Sequence, residues 1–484
     1  MRKYPVLLLA LVLLFGASAI FAVRAMDAPK DQIAFTEDVV YGDPAAADGL
    51  TVSLTEQLRY HYRWDSTVSF TDRSYAARTA FSFEQSTQSW YRGDPEPYSL
   101  DITDGVASGY DVDAETPISA AITALEKTVQ PGTTASSLLR VADYYETYPL
   151  FVSITLPDCF LGSGSGVVGP EQAAVDGLTA FFQIPVLPDQ YLSVEVSKSV
   201  DGMNSIGMSS ADCGDSFYLY TNSAATDDAF YFWFSNRSAN GKLADTSRIP
   251  GGYGIYRLPF GRVDTDAPYK GQPNGWQGYD VFTDQLSCFY PVDPETEIRQ
   301  LSLSADQTRF YLQTVEDGRY FISVLDTASG ALLQRCELAP YDSDDWCEYE
   351  EGENFLFIRF SDRRFFVFVP TEDGLLRQAL HVELSELERS DDYCPWYSTH
   401  FRSMAWRDGR FVIVCNSSRT GAENEWYYAA NGCGFSVSVY ENNALAYYGL
   451  YDSTLDQANP PGAPSDNDSV QPPYIIPAEA SFTE

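Results

Sequence analysis

Seven carboxylates fall within a twelve-residue stretch: Asp342, Asp344, Asp345, Glu348, Glu350, Glu351 and Glu353. Like charges this close repel, so either their pKa values rise or a hard cation such as Ca2+ neutralises them. Asp342, Asp344, Asp345 and Glu348 are the candidate Ca2+ ligands. The EF-hand spacing fails, because no glycine stands at the sixth position. The plainer reading of the cluster is a solvated loop between repeats. Carboxylates can also share the work of glycoside cleavage, but that reaction needs a fixed separation in space, which spacing along a chain does not define.

Other chemistry-bearing residues are sparse. His61, His381 and His400 are the only histidines. None has a partner at a metal-binding spacing such as HExxH, and a zinc centre or a Ser-His-Asp triad would have to assemble from distant positions. His61, in Tyr60-His61-Tyr62-Arg63-Trp64, reads as a strand residue. The stretch Gly162-Ser163-Gly164-Ser165-Gly166 is out of step with a G-x-S-x-G nucleophile turn, and no lysine follows it to complete a phosphate loop; it reads as a flexible loop. The eight cysteines are Cys159, Cys213, Cys288, Cys336, Cys347, Cys394, Cys415 and Cys433. They match no metal motif, and an even count in an exported chain permits disulfides. Cys336–Cys347 and Cys415–Cys433 are the pairs to test, although Cys415 follows the apolar run Phe411 to Val414 and reads equally as a small core residue. These spacings assign no catalytic residue and no cofactor-binding residue.

The compartment in which any chemistry takes place is set at the other end of the chain. Pro5 to Val23 carry no charge, and Arg2 and Lys3 precede them. At about 1.5 Å per residue this run spans roughly 28 Å as a helix, close to the ~30 Å core of a bilayer. The basic flank favours a cytoplasmic N-terminus and an exported body. A cleaved signal peptide is the alternative, with Ala17-Ser18-Ala19 resembling a cleavage site. Either way the body is exported, and no cysteine lies near the run to take a lipid.

The formal net charge is −37, which repels nucleic acid and anionic headgroups and excludes nucleic acid as a partner. Tyr (33) and Phe (29) are abundant, favouring pleated structure over helix. Strands are expected at Thr51–Phe70, Ala80–Glu84, Phe151–Leu156, Thr179–Pro185 and Tyr191–Lys198. One helix is expected, with Thr116 as cap, Pro117 in its first turn and Pro131-Gly132 at its end.

The clearest order is a repeated meander. Phe310–Val315, Tyr320–Leu325 and Ala331–Leu338 are joined by Glu316-Asp317-Gly318-Arg319 and Asp326-Thr327-Ala328-Ser329-Gly330. Phe355–Phe360, Arg364–Val369 and Leu375–Glu383 follow the same plan, and Arg410–Cys415, Gly434–Tyr440 and Ala444–Tyr451 repeat it around an insertion, Asn416 to Gly432. An earlier copy is expected over Phe217–Tyr220, Phe230–Phe234 and Gly254–Leu258. Turns rich in Asp-Gly and Asn suit tight hairpins. A single meander leaves apolar faces uncovered, so the copies must pack on one another.

The run Leu325-Asp326-Thr327-Ala328-Ser329-Gly330 resembles the third-strand turn of β-propeller repeats of the WD40 and quinoprotein-like kind, although no GH or WD dipeptide accompanies it. That resemblance implies radial blades over the C-terminal two-thirds; tandem β-sandwiches are the alternative all-β arrangement. The expected divisions are an anchor or signal peptide at 1–26, a stalk at 27–48, a β-rich region at 49–148, a β-propeller-like domain at 149–452, and an unstructured Pro-rich tail at 453–484. The expected activity is binding of a surface protein or glycan, or of a neighbouring membrane complex. An extracytoplasmic glycan or peptide hydrolase or lyase using Asp and Glu is the alternative.

Overall fold

The computed structural model describes residues 33–58, 62–82, 98–106, 117–156, 159–162, 170–210, 217, 219, 221–238, 240–265, 276–341, 347–361, 364–385, 402–417, 434–454 and 474–482, with positions 14–16, 18 and 21 of the N-terminal apolar run. Among these residues are 28 strands and two α-helices. The chain divides into two compact units, residues 1–93 with 345–484, and residues 94–344.

In chain order, β1 (Phe35–Gly42), β2 (Leu50–Leu58), β3 (Tyr62–Thr71) and β4 (Ser74–Ser82) open the first unit. The second unit holds β5 (Ser99–Asp104), α1 (Pro117–Glu126), β6 (Thr133–Arg140), β7 (Leu150–Leu156), β8 (Cys159–Gly162), α2 (Pro170–Phe181), β9 (Tyr191–Lys198), β10 (Asn204–Ser210), β11 (Thr221–Ala225), β12 (Ala229–Phe234), β13 (Gly254–Thr265), β14 (Trp276–Val281), β15 (Ser287–Pro291), β16 (Glu297–Leu303), β17 (Arg309–Glu316), β18 (Arg319–Asp326) and β19 (Leu332–Pro340). The chain then returns to the first unit with β20 (Cys347–Glu351), β21 (Leu356–Phe360), β22 (Arg364–Pro370), β23 (Leu376–Glu383), β24 (Arg402–Arg407), β25 (Arg410–Ser417), β26 (Gly434–Glu441), β27 (Ala444–Ser453) and β28 (Tyr474–Phe482).

The protein is all-β and built from propeller-like meanders. In the first unit, β20-β21-β22-β23 form one antiparallel sheet in sequence order and β24-β25-β26-β27 another. Two sequence-distant strands complete the unit. β28 pairs with β2, from Leu50 opposite Phe482 to Gln57 opposite Tyr474, making the sheet β28-β2-β3-β4. β1 adds to the outer edge of β27, with Phe35 opposite Ser453. Tight two-residue turns set these registers: Asp72-Arg73, Asp408-Gly409 and Asn442-Asn443 all have positive φ, as the right-handed strand twist requires. Arg73 is an unusual residue for that conformation; its amide donates to Asp48 Oδ1 at 2.9 Å and its guanidinium pairs with Asp43 at 3.2 Å.

The sheet β24–β27 is covered on both sides. Val412, Val414, Phe435 and Val437 pack with Leu50, Val52, Leu54 and Val68 of the next sheet. Phe411, Ile413 and Cys415 point the other way and pack with Phe357, Phe365 and Val367. The continuous apolar run that reads as a strand core therefore feeds two interfaces. Burying each such side chain is worth about 1.5–3 kcal/mol.

In the second unit, β16-β17-β18-β19 is a meander, β5-β7-β8 is an antiparallel sheet, and β13 is shared: its first half pairs with β15 and its second half with β14, beside β12 and β11. These three sheets adjoin through their first strands, β5 against β11 and β11 against β16. A further sheet, β10-β9-β6, carries α1 on one side. One continuous apolar core runs through the unit. All six residues of β12, Ala229-Phe230-Tyr231-Phe232-Trp233-Phe234, are buried.

The meanders expected at 310–338, 355–383 and 410–451 are present with small shifts of boundary. The helix expected after Thr116 is α1; Thr116 itself lies outside the described residues. Several expectations are corrected. The expected strand Thr179–Pro185 is instead the end of α2 and the bend after it, where Leu178 and Phe182 are buried at helical spacing. The first strand of the earlier copy lies at Thr221–Ala225 rather than Phe217–Tyr220, because Phe217 and Leu219 bury themselves in the core outside any strand. The stalk 27–48 contains β1 and a 3-10 turn at Pro44–Ala47. The tail 453–484 contains β28, whose pairing with β2 supplies the order that its proline content concealed; the prolines from 460 to 473 lie outside the described residues. The expected divisions near 148 and 452 fall within the second and the first unit, whose own boundaries lie at 93/94 and 344/345. Among the described residues no helix is long and apolar enough to cross a membrane, and most of Pro5–Val23 lies outside them.

Candidate functional site

The second unit carries a solvent-open cleft of about 580 Å3, lined by Thr226, Asp227, Asp228, Tyr231, Arg257, Phe289, Gln307, Thr327, Ala328 and Ser329. Three turns and one aromatic wall build it. The turn from β11 to β12 closes with the Thr226 amide donating to the Ala229 carbonyl at 2.9 Å, while Thr226 Oγ1 donates to Asp228 Oδ1 at 2.7 Å. The turn from β18 to β19 is the run that resembles the propeller third-strand turn. Asp326 Oδ1 accepts from both the amide and the hydroxyl of Ser329, at 2.9 and 2.6 Å, and these hydrogen bonds hold the Asp326 carboxyl below its ordinary value. Gly330 closes it at φ 69, and a Cβ there would come within 2.9 Å of the Phe289 carbonyl oxygen.

The third turn, from β16 to β17, is pinned by Asp306, which accepts from Ser304 and from Thr308. These bonds, the Ser304 hydroxyl first, hold the Asp306 carboxyl low as well. Gln307 follows at φ 58. With Arg73, it is the one left-handed non-glycine among the described residues that is neither Asp nor Asn. Its carbonyl accepts from Thr327 Oγ1 at 2.9 Å, which ties the second turn to the third.

Between the turns, alternate residues of the aromatic strand β12 face different neighbours. Tyr231 turns to Phe289 and Phe310, with ring centroids 4.9 and 4.5 Å away. Arg257, from β13, donates through Nε to the Tyr231 hydroxyl at 3.1 Å and through Nη2 to Asp228 Oδ2 at 2.8 Å. Asp227 is exposed and makes no ion pair with another described residue. The cleft thus offers acceptors (Asp227, the Gln307 carbonyl group), donors (the Gln307 amide, the remaining Arg257 nitrogen) and an aromatic edge (Phe289).

The first unit holds a different polar centre. Arg402, with a side chain 2% exposed, meets Glu350 Oε2 through Nε and Nη2 at 2.9 and 2.7 Å and Glu348 Oε1 through Nη1 at 2.9 Å. Arg359 Nη1 reaches Glu348 Oε2 at 3.4 Å. Burial disfavours charge on both guanidiniums. The two glutamates more than offset this for Arg402, whose pKa is raised, whereas Arg359, also repelled by Arg402, stays below its ordinary value. Nearby in sequence terms to none of these, Glu56 is fully buried; one oxygen accepts from Ser453 Oγ at 3.0 Å and the other has no partner. Burial pushes its carboxyl up to about 8. Such a shift suits a general acid, but Glu56 has no surface open to solvent at which a substrate could meet it.

The residues singled out from sequence are dispersed. Of the candidate Ca2+ ligands, Glu348 pairs with Arg402 and Arg359 from the neighbouring strands. Asp342, Asp344 and Asp345 lie outside the described residues, and among those described no His, Cys, Asp and Glu group could hold a metal. His381 stacks on Phe366 at 4.4 Å; His61 and His400 lie outside. Cys336 is a free thiol partway along β19, so the expected Cys336–Cys347 bridge is not made. Cys415 is a buried core residue, and Cys433 lies outside the described residues. The sequence reading passed over Asp227, Arg257 and Gln307. Only the Asp326–Gly330 turn signalled that side of the molecule.

No known protein family matches this sequence, and no curated protein matches it. Among solved structures the chain is similar to a protein from Lactobacillus plantarum, at 8% identity with TM-score 0.27, over 88% of this chain and 99% of that one. It is similar to the periplasmic gluconolactonase of Pseudomonas aeruginosa at 13% identity and TM-score 0.22, over 71% and 99%. It is also similar to the WD40 domain of SCAP from fission yeast, at 7% identity and TM-score 0.24, over 87% and 85%. With scores this low, the fold of this chain is defined by its own strand order.

Proposed function

We propose that this chain is an outward-facing binding protein, held in the membrane by Pro5–Val23, whose propeller-like body presents the cleft of the second unit to a ligand. The cleft is the observation that carries this reading: a concave, solvent-open volume of about 580 Å3 in which donors, acceptors and an aromatic edge converge. That volume lies within the ~300–1,000 Å3 range of small-molecule and ligand-segment sites. The turns that wall it are braced by side-chain hydrogen bonds, so the site is formed before a ligand arrives. Loops displayed on a rigid sheet scaffold commonly carry recognition. The uncharged run with its basic flank supports the location.

The test has two parts. In intact cells the full chain is expected in the membrane fraction and open to added protease. Detergent-solubilised full-length protein is expected to retain an envelope component that the Gln307→Gly variant releases. Recovery from the soluble interior, or retention untouched by any cleft substitution, would refute the reading.

A further inference from the structure

The cleft's chemistry narrows what it takes. We infer that it binds an uncharged sugar of a glycan chain, with Phe289 as the stacking edge and Asp227, Gln307 and Arg257 as the hydroxyl-reading groups; this rests on the binding reading above. Charge comes first. The one cation lining the cleft, Arg257, is already paired with Asp228 at 2.8 Å, which leaves Asp227 as an uncompensated carboxylate. A sugar acid, a phosphate or an acidic peptide would meet that carboxylate on a body of net charge −37 and be repelled. A vicinal diol suits it, since two adjacent hydroxyls can donate to the two oxygens of one carboxylate.

The second consideration is the mixture of donors and acceptors. Each sugar hydroxyl both donates and accepts, so a matching site must offer both. Gln307 supplies an amide nitrogen and an amide oxygen in one side chain. Arg257 keeps Nη1 for an acceptor after spending Nε on Tyr231 and Nη2 on Asp228. Thr226 and Ser329 spend their hydroxyl protons within their own turns, on Asp228 and Asp326, and Thr327 spends its own on the Gln307 carbonyl of the neighbouring turn, so that all three brace the wall.

The third consideration is Gln307 itself. Asn or Gly would occupy φ 58 more comfortably, since a left-handed conformation is unfavourable for most side chains. Gln307 nonetheless stands there, exposed and lining the cleft, with a side-chain amide that both donates and accepts. Phe289 is half-buried and held by Tyr231 and Phe310, and Gly330 gives it room by lacking a Cβ. Held in this way on the cleft wall, it is the ring available to a sugar's C–H groups.

The test measures binding of four ligands to the full chain by titration: neutral hexose and N-acetylhexosamine tetrasaccharides, a uronic acid tetrasaccharide, and a Ser/Thr-rich tetrapeptide. A neutral tetrasaccharide is expected to bind and the uronate to bind at least tenfold more weakly. Gln307→Gly, which relieves the backbone and so keeps the fold, is expected to weaken neutral-sugar binding about tenfold, the loss of one to two hydrogen bonds. Asp227→Asn is expected to narrow the gap between neutral and acidic sugar. Failure of every neutral saccharide to bind overturns the inference, as does binding indifferent to Gln307→Gly. If the peptide binds and Gln307→Gly abolishes it, the glycan assignment falls while the binding function stands. If the envelope capture described above is also indifferent to Gln307→Gly, both fall.

Discussion

The two units bury different things. In the first, Glu56, Arg359 and Arg402 are each more than nine-tenths withdrawn from solvent, and two apolar clusters lie on either side of one sheet. In the second, Asp104 is the one such charged residue among those described; its buried polar network is otherwise neutral, as in Tyr320 donating to Gln313 Oε1 at 2.5 Å, and its apolar core is continuous. The contrast follows the connectivity. In the second unit most pairs join strands consecutive in the chain, as in β16-β17-β18-β19, with β5–β7, β6–β9 and β13–β15 as exceptions. The first is completed by β1 and β28, which have no short turn to fix them. Side-chain contacts take over there: Tyr447 and Tyr451 donate to Glu37 Oε1 of β1 at 2.9 and 3.0 Å, and Ala480 of β28 donates to Ser403 Oγ at 2.8 Å. Directional contacts discriminate between registers where apolar packing alone is tolerant.

This contrast can be broken by experiment. The largest effect is expected from Arg402→Ala, which leaves two glutamates facing each other without their shared cation and costs about 3–5 kcal/mol. Hydrogen exchange should then quicken in β24–β27 while β11–β13 keep their protection; equal loss in both would show that the units do not differ in this way. Glu56 gives a pH dependence of comparable sign in the same unit. Its carboxyl is raised by burial from 4.5 to about 8, so its contribution is fully present below pH 4.5 and is lost as pH rises towards 8. The loss is on the order of 2–4 kcal/mol. Glu56→Gln should flatten the dependence of the thermal midpoint on pH over that window.

A smaller effect, about 1.5–2 kcal/mol, is expected for Tyr447→Phe, which removes a hydrogen bond to a charged acceptor. It should expose β1 to proteolysis before any other strand. In the second unit, Ile255→Val at a fully buried position should cost only about 1 kcal/mol, with no strand selectively released. Smallest of all, Asp227→Asn should shift stability by less than about 0.5 kcal/mol, since the side chain is exposed and makes no ion pair with another described residue. A larger shift there would mean that the cleft is part of the packing rather than a site.

Much of the meander plan was readable because it is written locally. Asp317-Gly318, Asp408-Gly409 and Asn442-Asn443 announce hairpins by residue type, and the strands between them are apolar on both faces. What was hidden is non-local. Nothing in Tyr474–Phe482 distinguishes a strand from a proline-rich tail until Leu50–Leu58 offers its edge. The helix α2 was read partly as strand because Phe181-Phe182-Gln183-Ile184 suits either period. Glu348 looked like a cation ligand because its neighbours in sequence are acidic, while its neighbours in space, Arg359 and Arg402, come from other strands. The cleft was missed for the same reason. Its three turns are up to a hundred residues apart, and only the Asp326–Gly330 turn carries a signature of its own.

The pairing of β2 with β28 also imposes an order on synthesis. The second unit has all its strands once the ribosome has passed Pro340, but β2 must wait for the final strand to be made. Throughout that interval the edge of β2 opposite β3 is an open template for any extended peptide nearby. A chain that stalls or is clipped before Tyr474 would therefore be expected to associate through Leu50–Leu58, whereas its middle portion would already be sealed.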